Sequence, residues 1–141
     1  MEQRRYNAEV EILKDRIGEN LFRFSNRGKP DEYAVFGART NRGNVYTLRI
    51  ELAGFPDDIP DVYVTKMLKD RDGNDLDEIS ADMHTLEPKN GWTHICHHGG
   101  ASWTPRISLY KVYVKCRLWL EMYELHLQTD KPLDYYLNHQ S

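Results

Sequence analysis

The chain has 141 residues with 40% hydrophobic and 29% charged content, a formal net charge of −3 and a pI near 6.1. This length suits one domain over residues 1–141, large enough to bury roughly two thirds of the surface that the unfolded chain exposes. The acidic balance excludes nucleic-acid affinity built on one broad basic face, and no run approaches the roughly 18 apolar residues of a membrane span, so neither nucleic acid nor membrane is an expected partner.

The first fifteen residues, MEQRRYNAEVEILKD, lack the apolar core and small-residue cleavage site of a secretory signal, which makes the cytoplasm the expected compartment. In a reducing compartment Cys96 and Cys116 are expected to be thiols and not a bridge. Tyr6, Val10, Leu13 and Ile17 recur at helical spacing and predict an amphipathic helix ending at Gly18. Arg4, Arg5, Glu9, Lys14 and Arg16 occupy its other side, expected as a solvated face, with a partner-binding face as the rarer alternative.

Strands are predicted over 21–25, 33–40 and 45–52, separated by the turn-rich segments at Asn26 to Gly28 and Asn41 to Gly43. In the third, Tyr46, Leu48, Ile50 and Leu52 alternate with polar residues, so one face is buried and the helix covers it. Pro56 and Pro60 lead the chain out of the sheet before a fourth strand over 61–67. The acidic run over 70–82 does not fit a calcium loop: aligning Gly73 with the turn glycine puts Leu68 in the first ligand position and Ile79 where the bidentate Glu belongs. A solvated turn is expected there.

Residues 84–105, HTLEPKNGWTHICHHGGASWTP, hold four histidines, a cysteine and two tryptophans without a clear apolar period. An irregular loop is expected, and such loops on rigid scaffolds carry chemistry. Thr104 and Pro105 suit the start of a long helix running through the apolar stretch 107–127. Its broad stripe includes Leu109, Val112, Tyr113, Cys116, Trp119, Leu120 and Tyr123, which makes Cys116 a core thiol. Lys131-Pro132 ends that helix, with a short helical turn over 132–138.

This order resembles the ubiquitin-conjugating enzyme fold: an α+β domain with an N-terminal helix, a four-stranded antiparallel meander, an irregular active loop and a long C-terminal helix. The resemblance is carried by Phe55-Pro56 and Pro60 before a β-branched strand, by Ile95-Cys96, and by Trp103-Thr104-Pro105 seven residues beyond the cysteine. His84-Thr85-Leu86 stands where the family has His-Pro-Asn, and the histidine-rich sequence after Cys96 is more similar to divergent bacterial relatives. The resemblance implies that Cys96 carries a ubiquitin-like modifier as a thioester and passes it to an amine. It also implies an activating enzyme as partner, meeting Arg4 and Arg5, and a deconjugating peptidase in the same pathway. Phe55, Pro60, Trp103 and Pro105 are the remaining expected partner-binding positions, and no cofactor is implied.

In an extended segment His94, Cys96 and His98 share a side, so either imidazole is expected to favour thiolate or act as base toward the amine; His84 joins this set. Asn90 and the backbone near Gly99 and Gly100 are candidate oxyanion donors. Two alternatives come from other classes. One is a non-catalytic, modifier-binding adaptor of the same fold. The other is a zinc site on Cys96 with some of His84, His94, His97 and His98, against which the compact spacing counts.

Overall fold

A computed structural model describes residues 1–137. Helix α1, Gln3–Arg16, buries Leu13 in the core and closes on Gly18, whose positive φ lets its N–H reach back to the Leu13 carbonyl. Two residues expected on its solvated face are inside. Glu9 is only 2% exposed, and Arg5 donates from Nε to Glu9 Oε2 at 2.7 Å. The same guanidinium donates to the carbonyls of Pro105 and Ile107, while Glu9 Oε1 accepts from the Leu109 N–H at 2.8 Å. A carboxylate from α1 thus satisfies an open amide at the start of the long helix. Arg4 stays exposed.

Strands β1 (Phe22–Ser25), β2 (Tyr33–Arg39), β3 (Val45–Glu51) and β4 (Val62–Val64) follow as an antiparallel meander. Ala34, Phe36 and Ala38 on β2 and Tyr46, Leu48 and Ile50 on β3 alternate inward, as the sequence period requires. The fourth strand is shorter than expected, because at Lys66 the backbone turns and donates to the Val64 carbonyl. The acidic run forms turns: Asp70 Oδ1 accepts from the amides of Asp72 and Asn74.

The sheet has six strands, not four, in the order β1-β2-β3-β4-β6-β5. The two additional strands, β5 (Thr85–Lys89) and β6 (Trp92–Ile95), come from the segment expected to be irregular. They form a hairpin through Asn90-Gly91, both at positive φ, which is the turn chemistry that matches strand twist. Thr93 and Ile95 point into the core, while Trp92 and His94 belong to the opposite face, where both rings meet Tyr63.

Helix α2, Leu109–Thr129, packs its stripe of Leu109, Val112, Tyr113, Cys116, Trp119, Leu120 and Tyr123 on the inner face of the sheet. Each of the larger fully buried members contributes on the order of 1.5–3 kcal/mol. Its N-cap is Ser108, accepting from the Lys111 N–H; the start expected at Thr104 is instead a turn in which Ile107 N–H donates to the Thr104 carbonyl. Asp130 ends α2 in the left-handed conformation. A short helix α3, Leu133–Leu137, then buries Leu133 and Leu137; Asn138 of the expected turn lies outside the described residues. Among the described residues no helix is long and apolar enough to cross a membrane.

Candidate active site around Cys96

Cys96 follows the last residue of β6. Its N–H donates to the His84 carbonyl at 2.9 Å, continuing the β5–β6 pairing by one step. That carbonyl also accepts from the Trp119 indole at 3.0 Å, and the indole reaches the Met83 carbonyl at 3.2 Å. The long helix therefore pins the segment against which the cysteine lies. His84 sends its own ring the other way, placing Nε2 2.8 Å from Asp134 Oδ1 on α3.

Beside Cys96 lies a cavity of about 170 Å³, half open to solvent. The strand end supplies Cys96, His97, His98 and Gly99, and His84 closes one side. Helix α2 supplies Lys115, Leu118 and Trp119, and α3 supplies Leu137. The cysteine is half-buried, and burial pushes its thiol up from the ordinary value.

The two adjacent histidines form a pair. His97 Nε2 lies 2.8 Å from the Pro60 carbonyl, and His97 Nδ1 lies 2.7 Å from His98 Nδ1. The edge of His98 meets Trp103 at 5.3 Å, and Trp103 donates from its indole to the Pro56 carbonyl. Both imidazoles are pushed down to about 4, in each case chiefly by burial. For His98 the remaining causes are His97, Lys115 and Lys111. They are consequently neutral near pH 7, so the expectation that imidazolium raises the thiolate fraction of Cys96 fails here.

Several expected site residues are elsewhere. His94 does not line the cavity: its strand ends one residue before Cys96, and its ring stacks on Tyr63 at 4.3 Å across the other face of the sheet. There His94 Nδ1 lies 2.8 Å from the Glu87 carbonyl and Nε2 3.2 Å from Asp61 Oδ1. Asn90 sits in the hairpin turn, on the order of 15 Å of extended chain from Cys96, so the structure does not bring the two together. The amides of Gly99 and Gly100 donate to no other described residue, and of the two glycines Gly99 lines the cavity.

The expected partner-facing residues divide. Arg4 and Pro105 are exposed and Trp103 is half-buried, whereas Phe55 and Pro60 are buried. Phe55 lies beneath Trp103 and the Arg5 guanidinium, and the Pro60 carbonyl is committed to His97. These positions hold the site together and leave little surface to offer. Among the described residues no three His, Cys, Asp or Glu side chains are placed to hold a metal ion. Lys115, Leu118, Trp119 and Leu137 are the cavity residues that the sequence reading did not place at the site, and His97 entered it only as a candidate zinc ligand. Comparison with protein-family models, with curated proteins and with solved structures finds no match to the chain.

Proposed function

We propose that this chain is a divergent relative of the ubiquitin-conjugating enzymes that carries a ubiquitin-like modifier as a thioester on Cys96 and transfers it to an amine. One observation supports it above the others: the cysteine sits at a strand end in a cavity that Gly99 and a neutral imidazole, His98, also line. The element order supports it too, since an N-terminal helix, an antiparallel sheet and a long helix surround that cysteine. Two free cysteines suit the reducing cytoplasm expected from the sequence.

In the loading step the Cys96 sulfur loses its proton and attacks the carbonyl carbon of the modifier's thioester to the activating enzyme. The activating enzyme's sulfur leaves and takes up a proton, while the Gly99 amide steadies the passing oxyanion. Because burial holds Cys96 as a thiol at rest, loading speeds up as pH rises toward the thiol's raised pKa. In the second step an amine takes the acyl group and releases the Cys96 sulfur. Holding both partners in place supplies much of the rate.

The raised Cys96 pKa also favours a second reading, a non-catalytic adaptor that binds the modifier without loading it. One assay separates them. Purified protein with candidate activating enzyme, modifier and ATP forms an adduct that thiol reductant removes if Cys96 is the carrier. Cys96→Ser then forms an adduct that resists reductant and yields to hydroxide, and Cys96→Ala forms none. Binding of modifier by wild type with no such adduct establishes the adaptor instead. Partner contact on α1 is best probed with Arg4→Glu alone, because Arg5 is a structural tie.

A further inference from the structure

The histidine pair has only one arrangement of its protons, and that arrangement assigns roles to both rings. A carbonyl oxygen only accepts, so the proton between Pro60 and His97 belongs to His97 Nε2. A neutral His97 then has a bare Nδ1. The 2.7 Å contact between the two Nδ1 atoms requires one donor, and His98 must be it. With its proton on Nδ1, neutral His98 carries a bare lone pair on Nε2. That atom bonds to no other described residue and is not sealed from solvent, although His98 as a whole is only 8% exposed.

We infer that the Pro60 carbonyl and His97 form a tautomer-setting relay that holds His98 with Nε2 unprotonated in the Cys96 cavity, as the base that receives the proton of the attacking amine. His98 is the catalytic residue in this assignment and His97 a positioning residue. This rests on the thioester reading of Cys96 and adds to it the identity of the base and the group that orients it. The perpendicular packing of His98 and Trp103 and the indole bond to Pro56 fix the plane of the ring, so the lone pair has one direction.

The step balances. The amine nitrogen attacks the thioester carbon, a C–N bond forms and the C–S bond to Cys96 breaks. One amine proton passes to His98 Nε2, and His98 returns it to the departing Cys96 sulfur, so amide and thiol are the products. The charged groups acting on the pair are Lys111 and Lys115 of α2 on His98, and His94, Asp61 and Lys115 on His97. Burial and these lysines keep His98 unprotonated well below neutral pH. A base so weak is a modest proton acceptor, but it gives its proton up readily to a thiolate.

Two measurements test this. Nitrogen-15 NMR of histidine-labelled protein at pH 7 should show the proton of His97 on Nε2 and that of His98 on Nδ1; a His98 proton on Nε2 overturns the relay. For kinetics, Cys96 is acylated with a glycylglycyl 2-mercaptoethanesulfonate thioester, and discharge to free lysine is followed by intact mass. His98→Gln, acylated to completion before the amine is added, should discharge about 10²-fold more slowly than wild type. His97→Leu should slow discharge about tenfold and let the His98 proton divide between Nδ1 and Nε2 in the nitrogen-15 spectrum, while burial still holds His98 neutral at pH 7. His97→Gln, whose amide can both donate to Pro60 and accept from His98, should recover most of the loss. Discharge of His98→Gln at the wild-type rate, or a His97→Leu protein whose His98 proton stays wholly on Nδ1, overturns the assignment. A wild-type protein that accepts no acyl group overturns the carrier reading and the base role with it, while the tautomer order still stands or falls on the NMR spectrum.

Discussion

His94 and the pair His97–His98 lie within five residues, yet the sheet divides them. His94, still in β6, stacks on an aromatic ring and meets an exposed carboxylate on the outer face. His97 and His98, past the end of the strand, bond to a carbonyl and to each other beside a thiol under α2. One environment sets the ring against a carboxylate, and in the other burial outweighs the charges nearby. Identical side chains thus meet a stacked ring and a carboxylate on one face and each other on the opposite one, and what decides is where the strand stops.

The largest expected effect contrasts the cavity with the core it adjoins. Under native alkylation Cys96 should label first, and Cys116, fully enclosed in the α2 stripe, should label at least about 10³-fold more slowly, since it must wait for unfolding. Comparable rates would break the distinction between the two surroundings.

Next comes the cavity's outer wall. Leu137→Ala should cost about 2 kcal/mol in denaturant unfolding, the low end for a buried leucine at a margin, and should accelerate Cys96 labelling several-fold. Unchanged labelling would show that α3 does not shield the thiol.

The third prediction uses pH. His97 and His98 have folded values near 4, below the roughly 6.5 of the unfolded chain, so the unfolded state binds protons first. Their stabilising contribution is full above about pH 6.5 and is lost as pH falls toward 4, about 2 kcal/mol between pH 7.5 and 5 for one such histidine. Denaturation midpoints across that window should keep this slope in His94→Phe and lose it when His97 and His98 are both replaced. The reverse result would exchange the two environments.

The smallest effect belongs to the outer face. The hydrogen bond to His94, more than any other cause, holds the Asp61 carboxyl below its usual range, but Asp61 is largely exposed. Asp61→Asn should therefore cost under about 1 kcal/mol in calorimetric unfolding at pH 7 and leave Cys96 labelling unchanged.

The sequence displayed much of the scaffold because its period was intact there. The alternation through Tyr46, Leu48 and Ile50, and the stripe from Leu109 to Tyr123, needed only the geometry of strand and helix. The β5–β6 hairpin escaped because its inward residues include Thr93, whose hydroxyl is buried yet bonded to the Leu68 amide and so does not look apolar. Its Asn90-Gly91 turn was a usable local signal, overshadowed by the histidines around it. The inward ties of Arg5 and Glu9 could not be seen in a helical wheel, because their partners lie about a hundred residues away. The same holds for the cavity. Cys96 was visible as a candidate, but its walls come from four stretches of chain, and no local pattern announces that Lys115, Trp119 and Leu137 meet there.

Trp119 has a further use that follows from its position alone. It is 1% exposed, lies parallel to Tyr123 and hangs its indole N–H on the carbonyls before β5, while one edge borders the cavity. Its emission should be blue-shifted, and the sulfur and imidazoles around the cavity are quenchers whose efficiency changes with their ionisation and occupancy. The protein thus contains an optical gauge of its own cysteine, readable without labels once the other two tryptophans, Trp92 and Trp103, are replaced by phenylalanine.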